Sequence, residues 1–331
     1  MKSDLAPRIS VIIPHYNKYD LLKACLTSVM DQKADFRYEV IVVDDASPDG
    51  SVSKVGRDFP GVKVIALAGN CHFARACNEG LKRARGEYIA LLNNDTEVDP
   101  GWLGALKQAL DDHPEVGFCA SRVLFLKDRS MIDSAGDCYT IAGTPHKIGH
   151  RRTAHKNHLE KRYVFGASAS SSIYRRSMLE EIGLFDEDMH FALEDVDLSF
   201  RAQLMGYKCL YVPDALVFHA VSASIGAHSP QYVYYGQRNI EYVYFKNLPA
   251  KLLIRYLPLH VLYVLGAFLF YLKKGRLLSF LRAKADILSL IKPLLRKRRQ
   301  IQAKKRVDPG YIDRILERGW FRTKLLKALR E

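Results

Sequence analysis

What the sequence lacks narrows it before any motif is read. Its six cysteines (25, 71, 77, 119, 138 and 209) include no C-x-x-C pair. In a chain of 331 residues, scattered cysteines read as small buried apolar groups in a reducing compartment, not as a disulfide framework. There is no G-x-G-x-x-G loop and no G-x-x-x-x-G-K-[ST] loop, so neither a nicotinamide enzyme nor a P-loop nucleotidase is indicated. The opening residues, MKSDLAPRIS, hold no apolar leader, and the protein is expected to remain cytoplasmic. The apolar stretch 257–272 contains Pro258 and His260 and falls short of the roughly 20 residues of a membrane span. Acids are nearly missing from one region. Between Lys273 and Arg306 stand thirteen Lys or Arg and one acid, Asp286, in a chain whose net charge is +14. The rest is therefore close to neutral, and the basic excess concerns what this one segment binds.

What is present begins with an alternation of strands and helices. Residues 9–13 are a β-rich apolar run closed by Pro14, which predicts a buried strand. Apolar residues at 21, 22, 25, 26, 29 and 30 predict a helix over 18–31. Strands follow over 38–43, 62–66 and 88–92, with a weak helix after the second strand, a helix over 73–85 closed by Gly86, and a helix over 101–111 behind Asp99 and Pro100. This order predicts an α/β fold, a mostly parallel sheet with helices on both faces. Ligands of such sheets bind at the carboxyl ends of the strands. Polar clusters at 14–17, 44–45 and 93–95 fall at those ends. Further on, a strand is expected over 166–174, helices over 176–182, 194–205 and 233–247, and a strand over 215–218 that leads to His219.

Carboxylates at 44, 45 and 95, in place of a glycine-rich loop, suit a diphosphate held through a divalent cation, because hard cations take oxygen ligands. The alternative is that Asp44, Ser47 and Asp49 only form turns and caps. Four histidines (146, 150, 155 and 158) lie among Lys147, Arg151 and Arg152. The surrounding positive charge opposes zinc there, and a basic loop contacting an anionic acceptor is the better expectation.

Four segments in order, ISVIIPHYN (9–17), EVIVVDDASPDG (39–50), GEYIALLNND (86–95) and EDVDLSFR (194–201), resemble the inverting family-2 glycosyltransferases of the Rossmann-like GT-A fold. The nearest flavour is the rhamnosyltransferase-like enzymes of bacterial cell-surface polysaccharide assembly. The resemblance covers roughly residues 8–250. It implies that Pro14, Tyr16 and Asn17 line a nucleotide pocket together with Asn94. Asp45 would hydrogen-bond the base and Asp44 would lie near the ribose. Asp95 matches the last carboxylate of a metal-binding D-x-D-like motif, whose earlier positions here are Asn93 and Asn94. His219 matches a position where related enzymes often place a metal-ligating His; Mg²⁺ or Mn²⁺ is the implied cofactor. Asp195, beside Glu194, matches the base that takes the acceptor's proton. Arg201 is expected to pair with Asp197 one turn earlier. No Q-x-x-R-W segment is present, which sets aside a processive synthase. An idle subunit of the same fold that scaffolds polysaccharide assembly is the alternative, against which Asp45, Asp95 and Asp195 argue.

The implied partners are a nucleotide-sugar donor, dTDP-rhamnose by resemblance, and a lipid-linked saccharide acceptor. Three segments are expected: 1–120 for the donor, 121–250 for the acceptor and base, and 251–331 as a basic amphipathic tail. Apolar residues at helical spacing between 277 and 295, mixed with bases, suit interfacial helices on an anionic membrane surface at the inner face of the cell. A packed helical hairpin, or a single span, would be the alternatives. Nucleic acid would leave the apolar stretch without a role and is not expected.

Overall fold

The computed structural model describes residues 6–155, 158–221 and 229–319. Its first half contains β1 (Ile9–His15), α1 (Tyr19–Met30), β2 (Tyr38–Asp44), α2 (Ser51–Asp58), β3 (Lys63–Ala66), α3 (His72–Arg83) and β4 (Tyr88–Leu92). β1 pairs in parallel with β2 and β4, and β2 with β3. Ile9, Val11 and Ile13 pack with α1 and α4 (Trp102–Asp112), while Ile12 packs with α3 on the opposite face. Strands covered on both sides need no polar alternation, which is why these runs are continuously apolar. β1 continues past the expected stop at Pro14. Its pairing with β4 has already ended at Ile12, and a residue without an N–H is tolerated where a ladder runs out.

The second half adds β5 (Thr96–Val98), β6 (Val116–Phe125), β7 (Ile132–Ser134), β8 (Asp137–Tyr139), β9 (Pro145–Lys147), β10 (Arg162–Val164), β11 (Ser171–Arg175), α5 (Arg176–Ile182), α6 (Glu194–Leu204) and β12 (Lys208–His219). The main sheet runs β10-β12-β6-β11-β4-β1-β2-β3. β11 is antiparallel to both its neighbours, β12 is parallel to β6, and β5 pairs with the end of β12. The predicted α/β architecture, mostly parallel with helices on both faces, is the one observed. The strand expected over 166–174 is real only from Ser171; the residues before it form a turn that serves the site. β12 is longer than expected because a register shift between Val212 and Leu216 accommodates Pro213 without ending the strand.

Five helices follow: α7 (Pro230–Asn247), α8 (Ala250–Lys273), α9 (Leu277–Ser289), α10 (Ile291–Lys304) and α11 (Pro309–Ile315). They share an apolar cluster with the preceding segments in which Tyr139, Phe165 and Phe200 meet Tyr242, Tyr244, Tyr256, Leu294 and Ile312. α8 is one helix of 24 residues through Pro258, about 36 Å long, where the sequence suggested sixteen residues. The expected helix over 277–295 is instead two, α9 and α10, meeting at Leu290. Several tail cations point inward: Lys284 pairs with Glu241, Lys297 with Asp188 at 2.6 Å, and Arg306 with Glu181. Arg298 donates to the carbonyls of Phe245 and Leu248, both at 2.7 Å.

Candidate active site

The ends of β1, β2 and β4 meet at one edge of the sheet. His15 is opposite Asp44 in register, and both are almost fully buried. The Asn94 amide donates to His15 Nδ1 at 2.8 Å. That leaves His15 Nε2 facing Asp44 Oδ1 at 4.0 Å, too far for a hydrogen bond. Burial pushes the His15 imidazole below its ordinary pKa. Asp44 Oδ2 accepts from the Ser47 amide at 3.0 Å, whereas Asp44 Oδ1, His15 Nε2, Asn93 Oδ1 and Glu194 Oε2 have no hydrogen-bond partner among the described residues. Asn17 sits in the left-handed region at φ 59°, with its amide bonded to Ser47 Oγ. Pro14 is buried and Tyr16 exposed at the same edge. Asp45 has a structural task. Its two oxygens accept from the Cys71 and His72 amides at 2.6 and 2.9 Å, placing negative charge at the start of α3.

Asp95 reaches His219 through strand pairing. β5 and β12 run antiparallel with Thr96 opposite His219, and the Ala220 amide donates to the Asp95 carbonyl. Asp95 Oδ1 then lies 3.1 Å from His219 Nε2, while His219 Nδ1 donates to Asp133 Oδ2 at 2.9 Å. Burial alone would lower the His219 pKa, but the two carboxylates raise it to about 9. Asp133 also receives Lys147 Nζ on both oxygens, at 3.0 and 2.9 Å, and has His150 Nδ1 at 3.3 Å. Burial would raise its pKa, yet the His150 and His219 hydrogen bonds and the Lys147 charge hold it well below the usual carboxylate range.

Asp195 lies at the start of α6, behind Ala192 and Leu193, both with positive φ. Its Oδ2 accepts from the Ala169 amide at 2.9 Å and its Oδ1 from the Val196 amide at 2.8 Å. The next residue of that turn, Ser170, accepts from the Asn93 amide at 3.0 Å. One short turn therefore holds the Asn93–Asp95 segment on one side and Asp195 on the other. Burial raises the Asp195 pKa despite these amide bonds. Burial and then the Asp195 charge raise Glu194 and Asp137 to about 8 each. Asp197 instead pairs with Arg201 at 2.9 Å, as expected, and with Lys246 at 2.7 Å.

Residues 10–183 match the profile described as Glycosyl transferase family 2. The chain belongs to that family. Among its relatives is the uncharacterized glycosyltransferase YwdF of Bacillus subtilis (strain 168), 30% identical over 236 residues, covering 68% of this chain and 81% of that protein. The O-antigen biosynthesis protein RfbC of Myxococcus xanthus is 27% identical over 230 residues, covering 66% of this chain and 18% of that protein. The chain thus spans less than a fifth of RfbC, and a quarter of protein y4gI of Sinorhizobium fredii (strain NBRC 101917 / NGR234). In structure it is similar to TarS 1-349 of S. aureus, with TM-score 0.54, 23% identity, and coverage of 89% of this chain and 88% of that one. It is also similar to GalNAc-T7 solved with UDP, GalNAc and Mn2+, with TM-score 0.59, 16% identity, and coverage of 73% of this chain and 48% of that one. These likenesses are to glycosyltransferases of the GT-A fold.

The family-2 frame gives a test of metal fit. Neighbouring ligands of an octahedral ion with bonds of about 2.1 Å are about 3.0 Å apart, close to the 3.1 Å between Asp95 Oδ1 and His219 Nε2. Asp133 on the other ring nitrogen is the carboxylate that commonly orients a ligating His. The pair fits a divalent ion that displaces the Nε2 proton. No cluster of three or more His, Cys, Asp or Glu ligands occurs among the described residues, so a divalent ion held by Asp95 and His219 would have to take its other ligands from outside these side chains.

Three groups escaped the sequence reading. Asp133 is a single acid in an apolar strand, and only the fold places it behind His219. His15 fell within the polar cluster 14–17 but was given no role of its own. Asn239 Nδ2 donates to the carbonyls of Met189, Phe191 and Ala192 at 2.9, 2.9 and 2.7 Å, and Arg238 to those of Asp188 and Met189. Together these two residues of α7 clamp the left-handed turn that delivers Asp195. The four histidines of the basic loop do not converge on one point. His146 meets Cys138 and His150 meets Asp133, while the His158 ring accepts from the His155 amide.

Proposed function

We propose that this family-2 protein is an inverting glycosyltransferase that moves a sugar from a nucleotide-diphosphate donor to a saccharide acceptor. The observation that carries this reading is the set of buried atoms at the carboxyl edge of the sheet, His15 Nε2, Asp44 Oδ1 and Asn93 Oδ1, that have no hydrogen-bond partner among the described residues. A buried polar atom without a partner costs about 1–3 kcal/mol, and several around one cleft are accounted for by a ligand that supplies partners. Pro14, Tyr16, Asn17 and Asn94 line the nucleotide pocket. Asp44 contacts the ribose, and Asp45 uses its remaining lone pairs for the base. Asp95 and His219 hold the divalent ion, Mg²⁺ or Mn²⁺, which when bound neutralises charge on the departing diphosphate.

Asp195 takes the proton of the acceptor hydroxyl as its oxygen attacks the anomeric carbon. The bond to the phosphate oxygen breaks on the opposite face, and the configuration inverts. Its raised pKa suits that task, since a base works best with a pKa near the operating pH. Burial holds that pKa up, and Glu194, itself raised to about 8, stands beside Asp195 largely protonated near neutral pH. The donor is dTDP-rhamnose and the acceptor a saccharide on a membrane lipid, reached from the cytoplasmic side, with no role for nucleic acid. Residues 1–120 serve the donor, 121–250 the acceptor and base, and 251–331 the membrane.

The test is a thermal-shift screen of nucleoside diphosphates and nucleotide sugars, with and without Mg²⁺ or Mn²⁺, on the full chain. One base and one ion should raise the melting temperature by mass action, and Asp45→Ala should lose that increment whatever its own starting stability. Mass spectrometry of the stabilising nucleotide sugar should then show release of nucleoside diphosphate. Stabilisation without turnover would mark an idle scaffold subunit, and no stabilisation by any nucleotide would overturn the site.

A further inference from the structure

We infer that the outward face of α8 seats the protein on an anionic membrane leaflet, with the helix lying in the plane of the membrane and not crossing it. Among the described residues α8 alone is long and apolar enough to cross a bilayer, so its orientation has to be decided by what its two faces touch.

The outward face carries Ile254, Leu257, Val261, Leu262, Leu265, Leu269 and Leu272, each well exposed, with Ile254 at 73% and Leu269 at 59%. They recur every three or four residues and so form one stripe along the helix. No charged residue interrupts the helix between Arg255 and Lys273. Exposed cations close the stripe at both ends, Lys251 and Arg255 before it and Lys273 and Lys274 after it. Long basic side chains at the ends of an apolar stripe can reach headgroups while their stems stay in apolar surroundings. Leu278 of α9, four residues past Lys274, is 82% exposed. A stripe this long, left in water, marks a surface with a partner. The flanking bases specify that partner as anionic, and the apolar length specifies it as hydrocarbon.

The inward face rules out a span. His260 is buried, donates to Glu241 Oε2 at 2.8 Å, and has its other nitrogen 2.8 Å from the Ala142 carbonyl. Its ring stacks on Tyr244 with centroids 3.8 Å apart. Glu241 also pairs with Lys284 of α9, and Tyr256 with Asp313 of α11. Crossing a bilayer would tear α8 from these contacts, carry His260 into hydrocarbon without its partners, and strip buried Glu241 of α7 of the His260 contact. Lying flat keeps every one of them.

The experiment is flotation of the full chain with phosphatidylcholine vesicles that contain or lack phosphatidylglycerol. Binding should require phosphatidylglycerol, weaken with salt and reverse in alkaline carbonate. Leu265→Glu with Leu269→Glu should lower partitioning at least tenfold, and Lys273→Gln with Lys274→Gln roughly thirtyfold, from about 1 kcal/mol per base near an anionic surface. Far-UV circular dichroism and the nucleotide-induced thermal shift should not move in either variant, so failure here is separable from failure of the transferase reading. Ile254→Trp, Val261→Trp and Leu269→Trp, quenched with brominated lipids, should report one shallow depth. Depth increasing steadily along the helix, binding indifferent to phosphatidylglycerol, or a dimer that Leu265→Glu dissociates would each overturn the inference.

Discussion

The carboxyl edge of the sheet and the outer face of α8 depart from ordinary folding in opposite ways. At the sheet edge, polar atoms are buried with no hydrogen-bond partner among the described residues: Asp44 Oδ1, His15 Nε2 and Asn93 Oδ1. On α8, large apolar side chains stand in solvent: Ile254, Leu265 and Leu269. The first departure costs desolvation and the second leaves apolar area wet. Each is relieved by something other than this chain, a polar anionic ligand in one place and an apolar sheet with anionic headgroups in the other. The inner face of the tail shows that the rule is otherwise kept. There Lys297 pairs with Asp186 and Asp188, and Lys284 lies against Glu241.

Substitutions that separate the two regions sharpen this contrast. The largest effect is expected from Asp195→Asn, which should lower turnover by about 10²–10⁴-fold, the usual contribution of a general base. It should leave nucleotide-induced stabilisation in place, as a turnover assay beside a thermal shift would show. Lys246→Met should cost about 3–5 kcal/mol in denaturant unfolding, because it leaves Asp197 and Asp186 buried with a charge removed from between them. A loss below about 1 kcal/mol would show that α7 is not held to Asp186 and Asp197 by a buried ionic contact. Asp133→Asn should weaken Mn²⁺ binding by about 10–100-fold, as for other groups that orient a ligating His. Titration followed by Mn²⁺ electron paramagnetic resonance reads this directly.

The fourth effect depends on pH. Glu194 has a folded pKa of about 8, against about 4.3 in an unfolded chain. Between those values the folded chain holds a proton that the unfolded chain has lost, so this group makes stability fall as pH rises. Glu194→Gln should therefore raise the melting temperature at pH 9 relative to wild type, with little change at pH 4. The smallest effect belongs to the exposed stripe. Leu265→Ser should alter stability in solution by no more than about 0.5 kcal/mol, whereas Leu252→Ala, buried on the same helix, should cost about 2–5 kcal/mol.

Much of the frame was legible in the residues. The runs at 9–13, 38–43 and 88–92 are strands because continuous β-branched sequence has few other ways to bury itself. The polar residues that follow them stand at the carboxyl edge, as that topology requires. The reading faltered where a contact is long-range. Asp45 was read for its ligand, and the structure adds that it caps α3. The basic loop was expected to face an acceptor, and two of its members, Lys147 and His150, turn inward to Asp133 instead. Pro258 suggested a break in an apolar stretch, yet tertiary packing of Leu252, Tyr256 and His260 carries the helix straight through it.

By itself the sequence determined the alternation of strands and helices, the polar strand ends, and the concentration of positive charge after residue 272. All three follow from local patterns, periodicity and composition, which a chain expresses wherever it folds. Tertiary structure alone decided that Asp95 meets His219, 124 residues away, and that Asp133 stands behind it. It also decided which tail cations are used inward and which face of α8 is left bare. Those outcomes depend on strand register and helix rotation, and both are set by the packing of distant segments against one another.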